Sequence, residues 1–263
     1  MMKTALITGA CINTGVAIVE KFASEGYNVI FTGRDETKVR DKEREYKAKF
    51  PNVAFVGYAI DSLLDERTVD EISVENMFSD IDARGYFVET LVLNAADQGL
   101  GQKIFENPLT DFMKVINTNV VWNYCLCEHA ARRMKEQGGG NIVFVNSNTA
   151  YRAIPDRIAY EASKGGQLGM MRGLALDLGK YNIRVNAVLP GMIRTDRWEK
   201  TPDFYKNVPS RYTPLGDVAV GDDIADAVYY FAAHARNTTG AELTVDGGNT
   251  IQLYPIVPEK DKK

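Results

Sequence analysis

The stretch Leu6-Ile7-Thr8-Gly9-Ala10-Cys11-Ile12-Asn13-Thr14-Gly15 decides how the rest of the chain is read. A short apolar run, Leu6-Ile7-Thr8, breaks at once into a turn bounded by Gly9 and Gly15. Val16 to Glu25 then carries apolar Val16, Ile18, Val19, Phe22 and Ala23 at helical spacing, and Gly26 stops it. Strand, glycine turn and helix open the βαβ unit that holds a dinucleotide. The glycines let backbone approach a pyrophosphate, and the helix N-terminus offers unpaired N–H groups and the positive end of a dipole. A tight turn without a ligand shares this local pattern, so the decision rests on the residues beyond Gly26.

Working outward, Asn28-Val29-Ile30-Phe31-Thr32 reads as the second strand and ends at Gly33-Arg34-Asp35. The end of that strand faces the adenosine ribose in this architecture: a carboxylate there binds the 2′-hydroxyl, an arginine accommodates a 2′-phosphate. Arg34 therefore points to NADP(H), with NAD as the alternative, and Asp35 suits the N-cap of a helix from Glu36 to Phe50. Val53 to Ile60 is a third strand, ending in Asp61-Ser62. Asp65 to Arg84 reads as a helical connection. Leu91-Val92-Leu93 precedes Asn94-Ala95-Ala96, and Ile142 to Val145 precedes Asn146-Ser147-Asn148. Ile183 to Leu189 precedes Pro190-Gly191, and Leu243-Thr244-Val245 precedes Asp246-Gly247-Gly248. Strands alternating with helices predict an α/β, doubly wound parallel sheet of about seven strands, with polar residues gathered past the strand carboxyl ends.

Composition bounds the rest. The 263 residues are 45% hydrophobic and 25% charged with a net charge of −4, so nothing marks a nucleic-acid or anionic-membrane surface. No linker or repeat divides the chain, and one domain over 1–263 is expected. No apolar run approaches the ~20 residues that span a bilayer, and the N-terminus lacks a signal-peptide core, so the cytoplasm is expected. Three cysteines are too few for a disulfide framework. Cys125 and Cys127, with His129 nearby, are not read as a metal site, because i and i+2 do not share a face of the helix expected from Trp122 to Met134. No metal is expected.

Tyr160-Glu161-Ala162-Ser163-Lys164 opens an apolar helical segment, Gly165 to Leu178. Residues i and i+4 share a helix face, so the Tyr160 phenol and the Lys164 ammonium point the same way. A neighbouring cation lowers a tyrosine pKa from about 10, which makes the phenol usable for general acid/base work.

Taken together, these residues resemble the short-chain dehydrogenases/reductases along nearly the whole chain. Thr8-Gly9 through Gly15 is similar to the family's Thr-Gly-x-x-x-Gly-x-Gly loop, with Asn13 in place of the middle glycine. Asn tolerates a left-handed backbone, so the turn is expected to survive. Asn94-Ala95-Ala96 resembles its Asn-Ala-Gly segment. Ile12 stands where NADP users of the family often carry a basic residue. The resemblance implies a Rossmann-type fold with Gly9, Asn13, Thr14, Gly15, Arg34, Asp61, Ser62, Asn94 and Ala95 on the cofactor. It implies Pro190, Gly191, Ile193 and Thr195 around the nicotinamide. It implies a catalytic set of Asn119, Ser147, Tyr160 and Lys164, Ser147 standing thirteen residues before Tyr160.

The expected reaction is hydride transfer between NADP(H) and a secondary alcohol/ketone. Tyr160 exchanges the proton, Ser147 bonds the substrate oxygen, and Lys164 lowers the tyrosine pKa and bonds the cofactor ribose. Asn119 holds a relay water. A substrate lid is expected at about 192–214, where Trp198, Phe204, Tyr205 and Tyr212 would wall an apolar pocket, with Trp198 as a substrate contact. A steroid or bile-acid hydroxyl leads the candidate substrates, ahead of a sugar or polyol and a 3-oxoacyl chain. The alternatives are epimerisation or dehydration on the same cofactor, and a non-enzymatic dinucleotide sensor. A homo-oligomer, tetramer or dimer, is expected, with the tail at about 249–263 packing on a neighbour.

Overall fold

The computed structural model describes residues 3–65, 67–199 and 212–253. Seven strands form one parallel sheet: β1 (Thr4–Ile7), β2 (Asn28–Gly33), β3 (Phe55–Ala59), β4 (Val88–Leu93), β5 (Gly140–Val145), β6 (Ile183–Pro190) and β7 (Glu242–Val245), in the order β3-β2-β1-β4-β5-β6-β7. The order reverses direction between β1 and β4, and at such a switch point the two connections leave on opposite faces and open a crevice at the strand carboxyl ends.

The connections are α1 (Asn13–Ser24), α2 (Glu36–Lys49), α3 (Glu71–Ala83), α4 (Leu109–Ile116), α5 (Trp122–Glu136), α6 (Ile158–Leu178), the short α7 (Asp196–Glu199) and α8 (Gly221–Tyr229). Alternation along the strands divides the core in two. Leu6, Ile30, Leu91, Leu93, Ile142, Phe144 and Val185 pack with α3, α5 and α6. Ala5, Ile7, Val29, Phe31, Val92, Val143 and Val188 pack with α1, α2 and α8. This is the doubly wound α/β sheet expected from the strand–helix alternation.

Two local differences have clear causes. The helix expected from Asp65 starts only at Glu71. Asp65 instead accepts the backbone N–H groups of Arg67 and Thr68 and the Thr68 hydroxyl, a turn that side-chain carboxylates favour over helix. Leu63 and Val69 then bridge antiparallel, and Asp70 caps α3 by accepting from Ser73 N–H. Between α4 and α5, Asn117–Val121 forms one wide π turn, a bulge of the kind that collects at functional sites. Phe204 and Tyr205 of the expected lid lie outside the described residues, as does the tail from residue 254.

Candidate active site

A cleft of about 1180 Å³ runs across the carboxyl ends of the strands. Its first half is built on the β1–α1 turn. Gly9 has φ +64°, and a Cβ there would stand 2.8 Å from Ala95 Cα. A Cβ at Gly15 would meet the Gly9 carbonyl at 2.3 Å. Both positions therefore accept only glycine. Asn13 takes φ +49°, as its side chain allows, but its Oδ1 accepts Asp196 N–H at 3.1 Å, tying the loop to the segment after β6. The start of α1 has no side-chain cap and no acidic residue in its first turn, and Ile12, Asn13, Thr14 and Gly15 line the cleft. Its free N–H groups suit a phosphate.

The turn is braced from both sides. Thr8 Oγ1 accepts the N–H groups of Asn94 and Ala95, both at 3.0 Å. Asn94 Nδ2 donates to the carbonyls of Thr8 and Gly9 at 3.0 and 3.1 Å. The fully buried Tyr46 donates its hydroxyl to the Ala10 carbonyl at 2.8 Å. Arg34 is exposed on the cleft wall, while Asp35 caps α2 by accepting from Lys38 N–H. Asp61 and Ser62 line the same half, Asp61 Oδ1 accepting from Ser62 N–H at 2.7 Å. Pro190, Gly191, Ile193 and Thr195 line the wall beyond β6, with Gly191 N–H donating to Val245 O at 3.0 Å.

The second half gathers Ser147, Tyr160 and Lys164. Ser147 caps a single 3-10 turn after β5, accepting from Thr149 N–H at 3.2 Å and from Thr149 Oγ1 at 3.0 Å, and it shares the cleft wall with the Tyr160 phenol. Lys164 is 1% exposed, with Nζ 5.5 Å from the centre of the Tyr160 ring. Burial pushes its pKa down to about 7. Tyr160 is pushed above the usual tyrosine value by burial, opposed by the Ser147 hydrogen bond and the Arg157 charge. The expectation that Lys164 lowers the phenol's pKa is thus corrected for the protein without ligands. Desolvation of the buried phenol outweighs the groups that favour the phenolate.

Asn119 is held through both its side chain and its backbone. Its side chain accepts from Asp97 N–H at 2.8 Å and donates to Asp97 O at 2.8 Å and Ser163 Oγ at 2.9 Å. Its backbone carbonyl, in the π turn, accepts from Asn123 Nδ2 at 2.9 Å and Gln167 Nε2 at 2.7 Å. These two amides tie the Asn119 carbonyl to α5 and α6. Gln167 links that carbonyl to Lys164, since its Oε1 accepts from Lys164 Nζ at 3.2 Å and from Asn146 Nδ2 at 3.0 Å. Lys164 Nζ donates also to Val145 O at 3.0 Å. Trp198 does not line the cleft; Tyr212 does.

A family model described as "Enoyl-(Acyl carrier protein) reductase" matches residues 9–250. The chain belongs to the short-chain dehydrogenase/reductase family. Among its relatives is a 3alpha-hydroxysteroid dehydrogenase of Mediterraneibacter gnavus, 33% identical over 93% of this chain and 96% of that one. Another is an L-rhamnose 1-dehydrogenase (NAD(P)(+)) of Azotobacter vinelandii, 35% identical over 95% of this chain and 98% of that one. The solved structure of ElxO with NADP bound superposes with a TM-score of 0.85 at 28% identity, covering 96% of this chain and all of that one. This short-chain dehydrogenase/reductase is an oxidoreductase of an alcohol/ketone pair.

Sequence reading passed over Tyr46, Gln167 and Arg157. Gln167 carried a signal: a polar residue one turn after Lys164, on the same face of an otherwise apolar helix. Tyr46 and Arg157 sit among charged neighbours and carried none.

The Lys164 ammonium should be charged below and neutral above a midpoint near 7, read from its Cε chemical shift in the unliganded protein. Gln167→Leu removes an acceptor that favours the charged form, so the midpoint should fall further. A midpoint near 10, or none of this movement in the variant, contradicts the network.

Proposed function

We propose that this short-chain dehydrogenase/reductase moves a hydride reversibly between NADP(H) and a secondary alcohol/ketone carbon. The observation that carries the reading is the meeting of Ser147, Tyr160 and Lys164 on one cleft wall, beside a glycine-bounded, uncapped helix start. The cofactor half fits NADP(H): the tight approach at Gly9 and Gly15 admits a pyrophosphate, and exposed Arg34 suits a 2′-phosphate. The NADP held by ElxO agrees. When bound, NADP(H) supplies or accepts the hydride.

In the reducing direction Tyr160 gives its proton to the carbonyl oxygen as that oxygen becomes an alkoxide. Ser147, beside the phenol on the cleft wall, donates to the same oxygen and stabilises the developing charge. The phenolate left behind is stabilised by Lys164 and by Arg157, whose guanidinium carbon lies 6.0 Å from the ring centre. Gln167 positions Lys164, and Asn119 holds both Gln167 and the backbone at Asp97. In oxidation the proton returns by the same route. Asn119 is therefore a positioning residue in this reading.

A steroid hydroxyl remains a candidate through the hydroxysteroid relative and Tyr212, and a sugar through the rhamnose relative. We also take residues 1–263 as one domain, placed in the cytoplasm, with Cys11, Cys125 and Cys127 unpaired. A homo-oligomer fits the exposed Val121 at the end of the π turn, Tyr124 on α5 and Leu176 on α6. Sedimentation as a monomer would remove that part of the reading.

Tyr160→Phe should lower turnover by about 10²–10⁴-fold while NADPH still binds, seen by cofactor fluorescence. Turnover near that of wild type sinks the assignment. Arg34→Ala should raise the Kd for NADPH by about ten-fold or more and leave NADH nearly unchanged, the size of one charge-assisted contact. Equal effects on both cofactors would remove Arg34 from the 2′-phosphate.

A further inference from the structure

The wall of the cleft beyond Tyr160 is cationic. Arg157 lies at the start of α6 and is half-buried, and Arg152 lies on the loop before it; both line the cleft, as does Lys114 of α4. Of the five N–H donors of Arg157, only one on Nη1 is engaged among the described residues, donating to Gln98 O at 2.8 Å. Arg152 Nη2 donates to the carbonyls of Thr250 and Gln252 at 2.6 and 3.2 Å. Neither arginine has a carboxylate partner among the described residues. Glu161, one turn after Arg157, accepts instead from Ile154 N–H.

The two carboxylates on this part of the wall are turned to backbone. Asp97 accepts from Gly99 N–H at 2.9 Å, and Asp246 accepts from Gly248 N–H at 2.9 Å and Thr250 N–H at 2.7 Å. The backbone that carries Arg157 is also fixed. Asp156 sits at φ +58°, its carbonyl accepts from Gln102 N–H at 3.2 Å, and Gln102 bridges to Arg157.

A neutral substrate closing over Arg157 would strip water from the guanidinium and return nothing. An anion would replace that hydration with a charge-assisted, bidentate pair. We propose that this short-chain dehydrogenase/reductase acts on a substrate bearing a carboxylate or phosphate close to its reacting carbon, and that Arg157 is the residue that selects it. The inference rests on the hydride-transfer reading for the position of the reacting carbon at Tyr160. The guanidinium is near enough to that tyrosine for one short molecule to reach both. Arg152, also lining the cleft, adds charge of the same sign.

The test is a ladder of ketones in charged and uncharged pairs, assayed by NADPH oxidation. The pairs are 4-oxopentanoate, 5-oxohexanoate and 6-oxoheptanoate, each beside its methyl ester, and dihydroxyacetone phosphate beside dihydroxyacetone. Wild type should favour the anion by about ten-fold or more in kcat/KM in at least one pair, chiefly through KM, with the best spacer reporting the distance to Arg157. A preference in the acid pairs alone names a carboxylate, and one in the dihydroxyacetone pair alone names a phosphate.

Arg157→Gln should collapse the anion-to-neutral ratio, and Arg157→Lys should restore part of it. Any effect of Arg157 on Tyr160 falls on both members of a pair and cancels in the ratio. Equal or better use of the neutral members by wild type overturns the proposal and leaves hydride transfer intact. Calorimetric titration of the NADPH complex with the same pairs reads the preference as affinity. Anion preference there without NADPH oxidation upholds Arg157 as an anion site and overturns the hydride-transfer reading. No preference in either assay overturns the proposal.

Discussion

The latch between Thr8 and Asn94 holds together the two strand ends on which the site is built. One threonine hydroxyl accepts two backbone N–H groups from the end of β4, and one asparagine amide returns two bonds to the end of β1. These groups sit where the sheet reverses its winding and the strands can no longer satisfy their last peptide groups by pairing. The latch fixes the distance between Gly9 and Ala95, and with it the width of the cleft floor. The uncapped start of α1 on one side and the Asn119 turn on the other are then held in one frame, because Asn119 grips Asp97, three residues past Asn94.

On that frame the protein places cations that have no carboxylate partner among the described residues. Lys164 is buried against the Val145 carbonyl and the Gln167 amide, Arg157 against the Gln98 carbonyl, and Arg34 stands in solvent at the other end. A cation held by carbonyl dipoles is oriented but not neutralised. It keeps its field for whatever enters the cleft, and the burial that lowers the Lys164 pKa is the cost an entering negative charge would offset. The surface shows the contrary arrangement: α2 pairs Arg40, Lys42 and Lys47 with glutamates of its own helix. Among the described residues, the cations facing the cleft are thus the ones kept open.

Most of this frame was legible in residues alone. Short apolar runs, a glycine-bounded turn and helix stops located the strands within about three residues, and the polar residues just past them marked the cleft. The spacing from Ser147 to Tyr160 to Lys164 brought three side chains to one wall, although a 3-10 turn, a loop and a helix start stand between the first two. What the chain did not disclose was balance. Whether Lys164 lowers the Tyr160 pKa depends on how much water is lost around each group, which no spacing records. Asn123 and Gln167 reach the Asn119 carbonyl through a π turn, a backbone geometry without a sequence signature. Trp198 reads as pocket wall by composition, but it is not among the described residues that line the cleft.

The central claim is that the cleft moves a hydride and that the tyrosine moves only a proton. NADPH carrying deuterium at the transferable nicotinamide C4 position tests it most directly, with any ketone the protein reduces and mass analysis of the product. One deuterium on the carbinol carbon, with none on the hydroxyl after exchange and none lost to solvent, is the predicted result. A product without carbon-bound deuterium, or turnover that leaves the cofactor label in place, would contradict the account.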